Sequence, residues 1–145
     1  MRLDLFPQSA WISNTFMLIS YFRFVDLMHL NGSTIIEGPD LPIPITEHCV
    51  VNSDELMKAF VIGGLNTINF NWVVIFSLNN QTWHYGPNLI FARRMHACGI
   101  LKDGNDHIIV VAGGLGDSGP LSSVELYNLE SGNGWYSGPD LAKPR

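Results

Sequence analysis

Apolar residues in this chain come in short runs of about four to eight, set apart by turn-forming residues, and nowhere hold a helical period beyond a turn or two. The runs predict strands at 49–52, 58–62, 73–78 and 82–85, and again at 97–101, 108–112, 123–129 and 134–137. Turn signals lie between them: Asn52-Ser53-Asp54, Asn79-Asn80, Lys102-Asp103-Gly104-Asn105-Asp106 and Glu130-Ser131-Gly132-Asn133-Gly134. The runs at 58–62 and 108–112 are apolar at nearly every position, as in a strand covered on both faces. Two sets of four strands result. Four antiparallel strands joined by short turns make one propeller blade.

The two sets repeat one another. Gly63-Gly64 returns as Gly113-Gly114 at a shift of 50, and Phe76-Ser77-Leu78 as Tyr127-Asn128-Leu129 at 51. Trp83 returns as Trp135, and Gly86-Pro87 as Gly138-Pro139, at 52. The drift falls in loops, where insertions are tolerated. A weaker copy at 28–42 overlies 76–90 at a shift of 48, with Ile35 in the Trp position; the same shift puts Thr15-Phe16 in the Gly-Gly position. A period near fifty residues marks a repeat architecture whose units bury their faces on one another.

Each repeated residue has a structural task. A Gly pair directly after a buried strand lets the chain leave the sheet at positive φ with close backbone contact. Trp83 and Trp135 bring large apolar area to the last strand of each set, and Gly-Pro ends the ladder there. The expected organisation is therefore all-β: an unassigned segment or degenerate strands at 1–23, a partial blade at 24–42, and full blades at 43–92 and 93–145. Closed propellers need about four to eight blades, so an open arc follows. Arg145 stands where Arg93 stands in the preceding copy, as the first residue of a further repeat. The chain then reads as a piece of a longer protein or a truncated product. Two uncovered apolar faces imply a partner or self-association.

With Arg93-Arg94-Met95-His96 added, the pattern of apolar strand, Gly-Gly, third-strand aromatic, Trp, Pro-x-Leu and Arg-x-x-His resembles the kelch repeat family. The resemblance covers 43–145 well and 28–42 in part, and does not reach 1–23. It implies a kelch-type β-propeller fragment that binds a protein partner through its loops without catalysis or cofactor. A ubiquitin-ligase substrate receptor or an actin binder would be of this kind. The upstream copy departs from the pattern, with Ile45 in the Arg position. Two alternatives stand beside this reading: a fragment of a propeller oxidase, and a truncated copy without function.

Composition narrows the field. A hydrophobic fraction of 46% with 14% charged residues describes an ordered chain. A net charge of -5, with no basic run, excludes a phosphate-binding face and with it nucleic acid. No apolar run approaches the roughly 20 residues of a membrane helix, and Asp4 is out of place in a signal peptide, so a cytoplasmic protein is expected. Cys49 and Cys98 are too few for a disulfide scaffold and are expected to be buried free thiols on corresponding strands.

Candidate chemistry is sparse. His48 and His96 share the repeat shift of 48, which favours a common structural role, and no Cys/His spacing makes a metal site. His29, His84 and His107 are scattered. The acidic run ending at Asp106 lacks the distal ligand of a calcium loop, and Gly113-Gly114-Leu115-Gly116 lacks the Lys and helix of a phosphate loop. Asn31-Gly32-Ser33 and Asn80-Gln81-Thr82 are formal glycosylation acceptors in a turn that favours Asn for backbone reasons. The candidate partner contacts are loop residues Asn66, Asn69, Asn71, Asp117 and Ser118, with Arg93, Arg94 and Arg145 at the repeat junctions. Arg suits carboxylate recognition. For Arg93 the alternative is a salt bridge or carbonyl contact between blades.

Overall fold

The computed structural model describes residues 8–11, 16–29 and 34–145, and among them the fold is all-β. The first sheet holds β1 (Gln8–Trp11), β2 (Phe16–Tyr21), β3 (Phe24–His29) and β4 (Ile35–Glu37), hydrogen-bonded in that order. The second holds β5 (Cys49–Ser53), β6 (Lys58–Ile62), β7 (Val73–Ser77) and β8 (Thr82–Tyr85). The third holds β9 (Ala97–Asp103), β10 (Asp106–Ala112), β13 (Val124–Asn128) and β14 (Tyr136–Ser137), with a small hairpin, β11 (Leu115–Gly116) and β12 (Gly119–Pro120), inserted after β10. All pairings are antiparallel. The first strands β1, β5 and β9 run beside one another, so the three sheets fan out from a shared inner edge as successive blades of an open arc.

The pleat explains the continuous apolar runs. Successive strand residues point to opposite faces. Ala59 and Val61 of β6, with Val74 and Phe76 of β7, pack toward the first sheet against Leu18, Val25, Leu27, Leu41 and Ile45. Their neighbours Phe60, Ile62, Val73 and Ile75 pack toward the third sheet against Leu89, Ile109 and Val111. The middle sheet is thus buried on both faces. Each of its large side chains contributes about 1.5–3 kcal/mol by leaving water.

Strands β6 and β8 have the expected limits. Strands β9 and β10 run further than the apolar pattern, because Gly104 at φ 61° lets the hairpin pair Asp103 with Asp106. That tight hairpin accounts for the acidic run. Strand β14 is shorter than expected, and Gly134 at φ 92° lies outside it.

The first sheet corrects one register. Ser20 pairs with Val25 as Ile62 pairs with Val73, so β2 aligns with β6 at a shift of 42 while β3 aligns with β7 at 48. Tyr21, and not Thr15-Phe16, therefore occupies the place of Gly63. Residues 64–69 have no counterpart in the first sheet, where Phe22-Arg23 turns the chain directly from β2 into β3. Phe22 carries the turn at φ 55°. A constant shift drawn back from 28–42 misses this deletion because it falls inside the segment where sequence similarity ends.

Candidate functional site

The missing loop shows where functional surface can lie. Only the second and third sheets carry a long connection after their second strand. Gly63 at φ 61° starts the first of these, and a side chain there would meet the Arg93 carbonyl at 2.6 Å. Gly64 donates its N–H to that same carbonyl at 2.8 Å, and Gly114 does the same to Arg145 at 2.7 Å. Each loop is then pinned to the entry of its own sheet: Leu65 exchanges backbone bonds with Thr46, and Leu115 with Arg94.

The two loops meet over the junction of the second and third sheets. Asn69 donates through Nδ2 to Asp117 Oδ1 at 2.8 Å, joining one loop to the other. Arg94 Nη1 donates to Glu47 Oε2 at 2.6 Å, with both side chains about one-third exposed. Asn69, Asp117 and Arg94, with Leu65, Thr67, Ile68 and Gly116, line an open groove. Asn69 Oδ1 is buried and accepts no hydrogen bond from the chain, while Ile68 is 64% exposed. The groove therefore offers a carboxylate, a guanidinium and one apolar wall.

The structure thus gathers Asn69, Asp117 and Arg94 from the residues expected to face a partner, and Asn66 and Ser118 are exposed on the same two loops. Asn71 is different: its amide is spent on the Leu89 carbonyl at 3.1 Å. Arg93 is corrected outright. It has no exposed surface; it donates to the carbonyls of Gly113 at 2.8 Å and Ser123 at 3.0 Å, to Ser123 Oγ at 2.7 Å and to Glu125 Oε1 at 2.7 Å. A guanidinium enclosed in this way does not reach a surface partner. Arg145 is exposed, and its backbone N–H donates to Leu121 O at 3.2 Å as that of Arg93 does to Phe70 O at 3.1 Å. Thr67, Ile68 and Glu47 went unnoticed in the sequence because they fall outside the repeated positions.

The two Trp residues also act between sheets. Trp83 Nε1 donates to the Pro39 carbonyl, and Trp135 Nε1 to the Pro87 carbonyl, each at 2.9 Å. Trp83 packs against Phe76 and Trp135 stacks on Tyr127, at 5.0 and 5.4 Å between centroids. The Trp of one copy and the Gly-Pro of the copy before it are two halves of one contact.

Cys49 and Cys98 are not free thiols. They form a disulfide between the first strands β5 and β9, with Cα atoms 6.1 Å apart. Equivalent positions on side-by-side inner strands are neighbours in space, a relation that their distance in sequence conceals.

The paired histidines are packing residues. His48 is buried with Nε2 2.9 Å from Ser20 Oγ, and burial lowers its pKa to about 4. His96 lies against Gly63 and Gly114 and is lowered to about 3, by burial first and then by the charge of Arg93 and by His48, with the Ile62 backbone pulling partly the other way. His107, in β10, joins Glu55 at 3.2 Å to Glu130 at 2.7 Å at the far end of the junction. Thr82 Oγ1 donates to Asn80 Oδ1 at 2.7 Å, so the second acceptor triplet serves its turn; the first, Asn31-Gly32-Ser33, lies outside the described residues.

Comparison with known proteins revises the family. No family model matches the chain, and no curated protein matches it. Among solved structures it is similar to a fungal alcohol oxidase of the AA5 family in complex with copper, with a TM-score of 0.72 and 17% identity. The match covers 92% of this chain and 31% of the oxidase. The chain thus spans under a third of that relative's length. This overturns the kelch-family reading and, with it, the expectation of a non-catalytic chain. The Gly pairs, Trp residues and Gly-Pro steps behind that resemblance are explained by contacts between sheets. They define a fold that an oxidase shares, and the fold does not separate a binder from an enzyme.

Copper does not fit the residues present. Among the described residues no three His, Cys, Asp or Glu side chains come together as a metal site. His48 and His96 are enclosed between sheets, and both cysteines are consumed by the disulfide. No helix among the described residues is long and apolar enough to cross a membrane.

Proposed function

We propose that this chain is an arc of a propeller of the oxidase kind, and that its own contribution is a loop-end groove for a small hydroxylated ligand. The observation that carries this reading is the convergence of Asn69, Asp117 and Arg94 from two sheets onto one groove. Hydroxyl groups both donate and accept, so they can donate to Asp117 while accepting from Arg94. The exposed Ile68 suits the carbon face of such a ligand. An acidic peptide fits less well, because Glu47 already neutralises Arg94 and Asp117 adds a negative charge. Metal-dependent chemistry would need ligands from outside the described residues.

Titration of the isotopically labelled protein with simple polyols and sugars, followed by amide chemical shifts, tests the reading. Saturable shifts confined to 65–69 and 115–118, lost in Asp117→Ala, are expected. No saturable shift with any hydroxylated probe, or shifts indifferent to Asp117→Ala, would reject it.

A further inference from the structure

The second and third sheets are tied together at both ends of their inner strands, and the two ties differ in kind. Strands β5 and β9 run side by side, and Cys49 and Cys98, near the first residue of each, link them covalently. At the other end of the same strands, the turn after β5 brings Glu55 to the hairpin of β9 and β10. There Glu55 Oε1 accepts from Lys102 Nζ at 2.8 Å, and Glu55 Oε2 lies 3.2 Å from His107 Nε2. The other side of the imidazole belongs to the third sheet itself. His107 Nδ1 is 2.7 Å from Glu130 Oε1, and the His107 backbone N–H donates to Glu130 Oε2 at 2.7 Å.

An imidazole with a carboxylate at each nitrogen suits both only as the imidazolium, because the neutral ring carries one N–H and one lone pair. The charges around it agree. The Glu55 carboxyl is held below the usual range first by its hydrogen bond from Lys102, and that of Glu130 first by its hydrogen bond from His107. Two carboxylates and one ammonium leave one negative charge, which an imidazolium cancels. Two further carboxylates nearby are otherwise engaged: Asp54 accepts from Asn52 Nδ2, and Asp106 from Asn128 Nδ2, each at 2.8 Å. Loss of the proton does not fall equally on the two contacts. Glu130 is gripped by the backbone and the ring of one residue, so Nδ1 keeps its hydrogen and Nε2 turns a lone pair toward Glu55.

We propose that His107 is a pH-sensitive latch between the second and third sheets, closed on Glu55 when the ring is charged and released as it deprotonates, with the Cys49–Cys98 link as the hinge. Lys102 stays on Glu55 in both states, so release loosens the far end of the junction without parting the sheets. The ring lines an open hollow with Asn52, Ser53 and Ile100, and release opens onto water there. The sign is opposite to that of the buried His48 and His96, whose lowered pKa values make stability fall as pH falls. The latch instead contributes at low pH and fades as pH rises through the range in which imidazoles lose their proton. The groove at the loop end takes no part in it, and the two readings stand separately.

Amide hydrogen exchange of the oxidised 145-residue chain, followed by NMR from about pH 5 to about pH 8 and corrected for the intrinsic pH dependence of exchange, tests this. The Met57 N–H, which donates to the Asp54 carbonyl, reports on the turn that carries Glu55. The Leu129 N–H, which donates to the His107 carbonyl, reports on the third sheet. Protection at Met57 is expected to fall about 2- to 5-fold as pH rises, while that at Leu129 holds. Glu55→Gln and His107→Gln, both near the surface, should each abolish the pH dependence at Met57. Protection at Met57 that ignores pH, a pH dependence that survives either substitution, or an equal change at Leu129 would each overturn the proposal.

Discussion

Arg93 and Glu125 meet at 2.7 Å with neither side chain exposed, and the Glu125 carboxylate also receives the backbone N–H groups of Ile90 at 2.6 Å and Phe91 at 3.1 Å. One carboxylate from β13 thus fixes both the Arg and the chain segment leading to it. The pair is held by hydrogen bonds on almost every side, which is the condition for a buried ion pair to be tolerated.

Removing one member leaves the other charged and enclosed. Arg93→Met is expected to cost about 3–5 kcal/mol in urea denaturation, and Glu125→Leu a similar amount. The double variant should recover much of that loss, since the neighbouring junction works with Ile45 and Val74. Independent, additive losses would show that the two residues do not act as a pair.

Trp135→Phe keeps the ring against Tyr127 and removes only the N–H to the Pro87 carbonyl. The expected cost is about 1 kcal/mol, the worth of one hydrogen bond with its acceptor left behind. Trp83→Phe should cost the same, through Pro39. A zero effect in both would detach the repeat signature from the contact between sheets.

Both buried histidines make the fold acid-sensitive. Their folded pKa values, about 4 for His48 and about 3 for His96, lie below the ordinary 6.5. As pH falls below 6.5 the unfolded chain takes up protons that the folded chain refuses, so stability declines, by about 1.4 kcal/mol per pH unit for each histidine. The decline ends near pH 4 for His48 and near pH 3 for His96. His48→Gln should flatten part of the slope between pH 6 and pH 4 in a denaturation series, and an unchanged slope would refute the assignment.

Much of this fold was legible in the residues. The apolar runs at 58–62 and 73–78 carry their own explanation, because alternate residues serve two different cores. What escaped lies between sheets rather than within them. Arg93 looks like a recognition residue because its carboxylate is 32 positions away in another sheet. The first sheet was half hidden because the loss of 64–69 moves β2 out of the repeat register while Ile35 replaces the Trp. Of the groove, Asn69 and Asp117 could be named from loop position and Arg94 from its place at a repeat junction. Thr67 and Ile68 needed the approach of the two loops, which no local pattern encodes.

The two cysteines test the arrangement of the sheets most directly, because their link exists only if β5 and β9 lie side by side at the inner edge of the arc. Closing a loop of this span, with partners 49 positions apart, is worth about 4 kcal/mol, and an oxidising environment is needed to keep it closed. The decisive measurement is mass-spectrometric peptide mapping of the oxidised, unreduced monomer. The account predicts a single cross-linked pair of peptides containing Cys49 and Cys98, and no thiol titratable in denaturant. Two free thiols under oxidising conditions, or links formed only between chains, would contradict it.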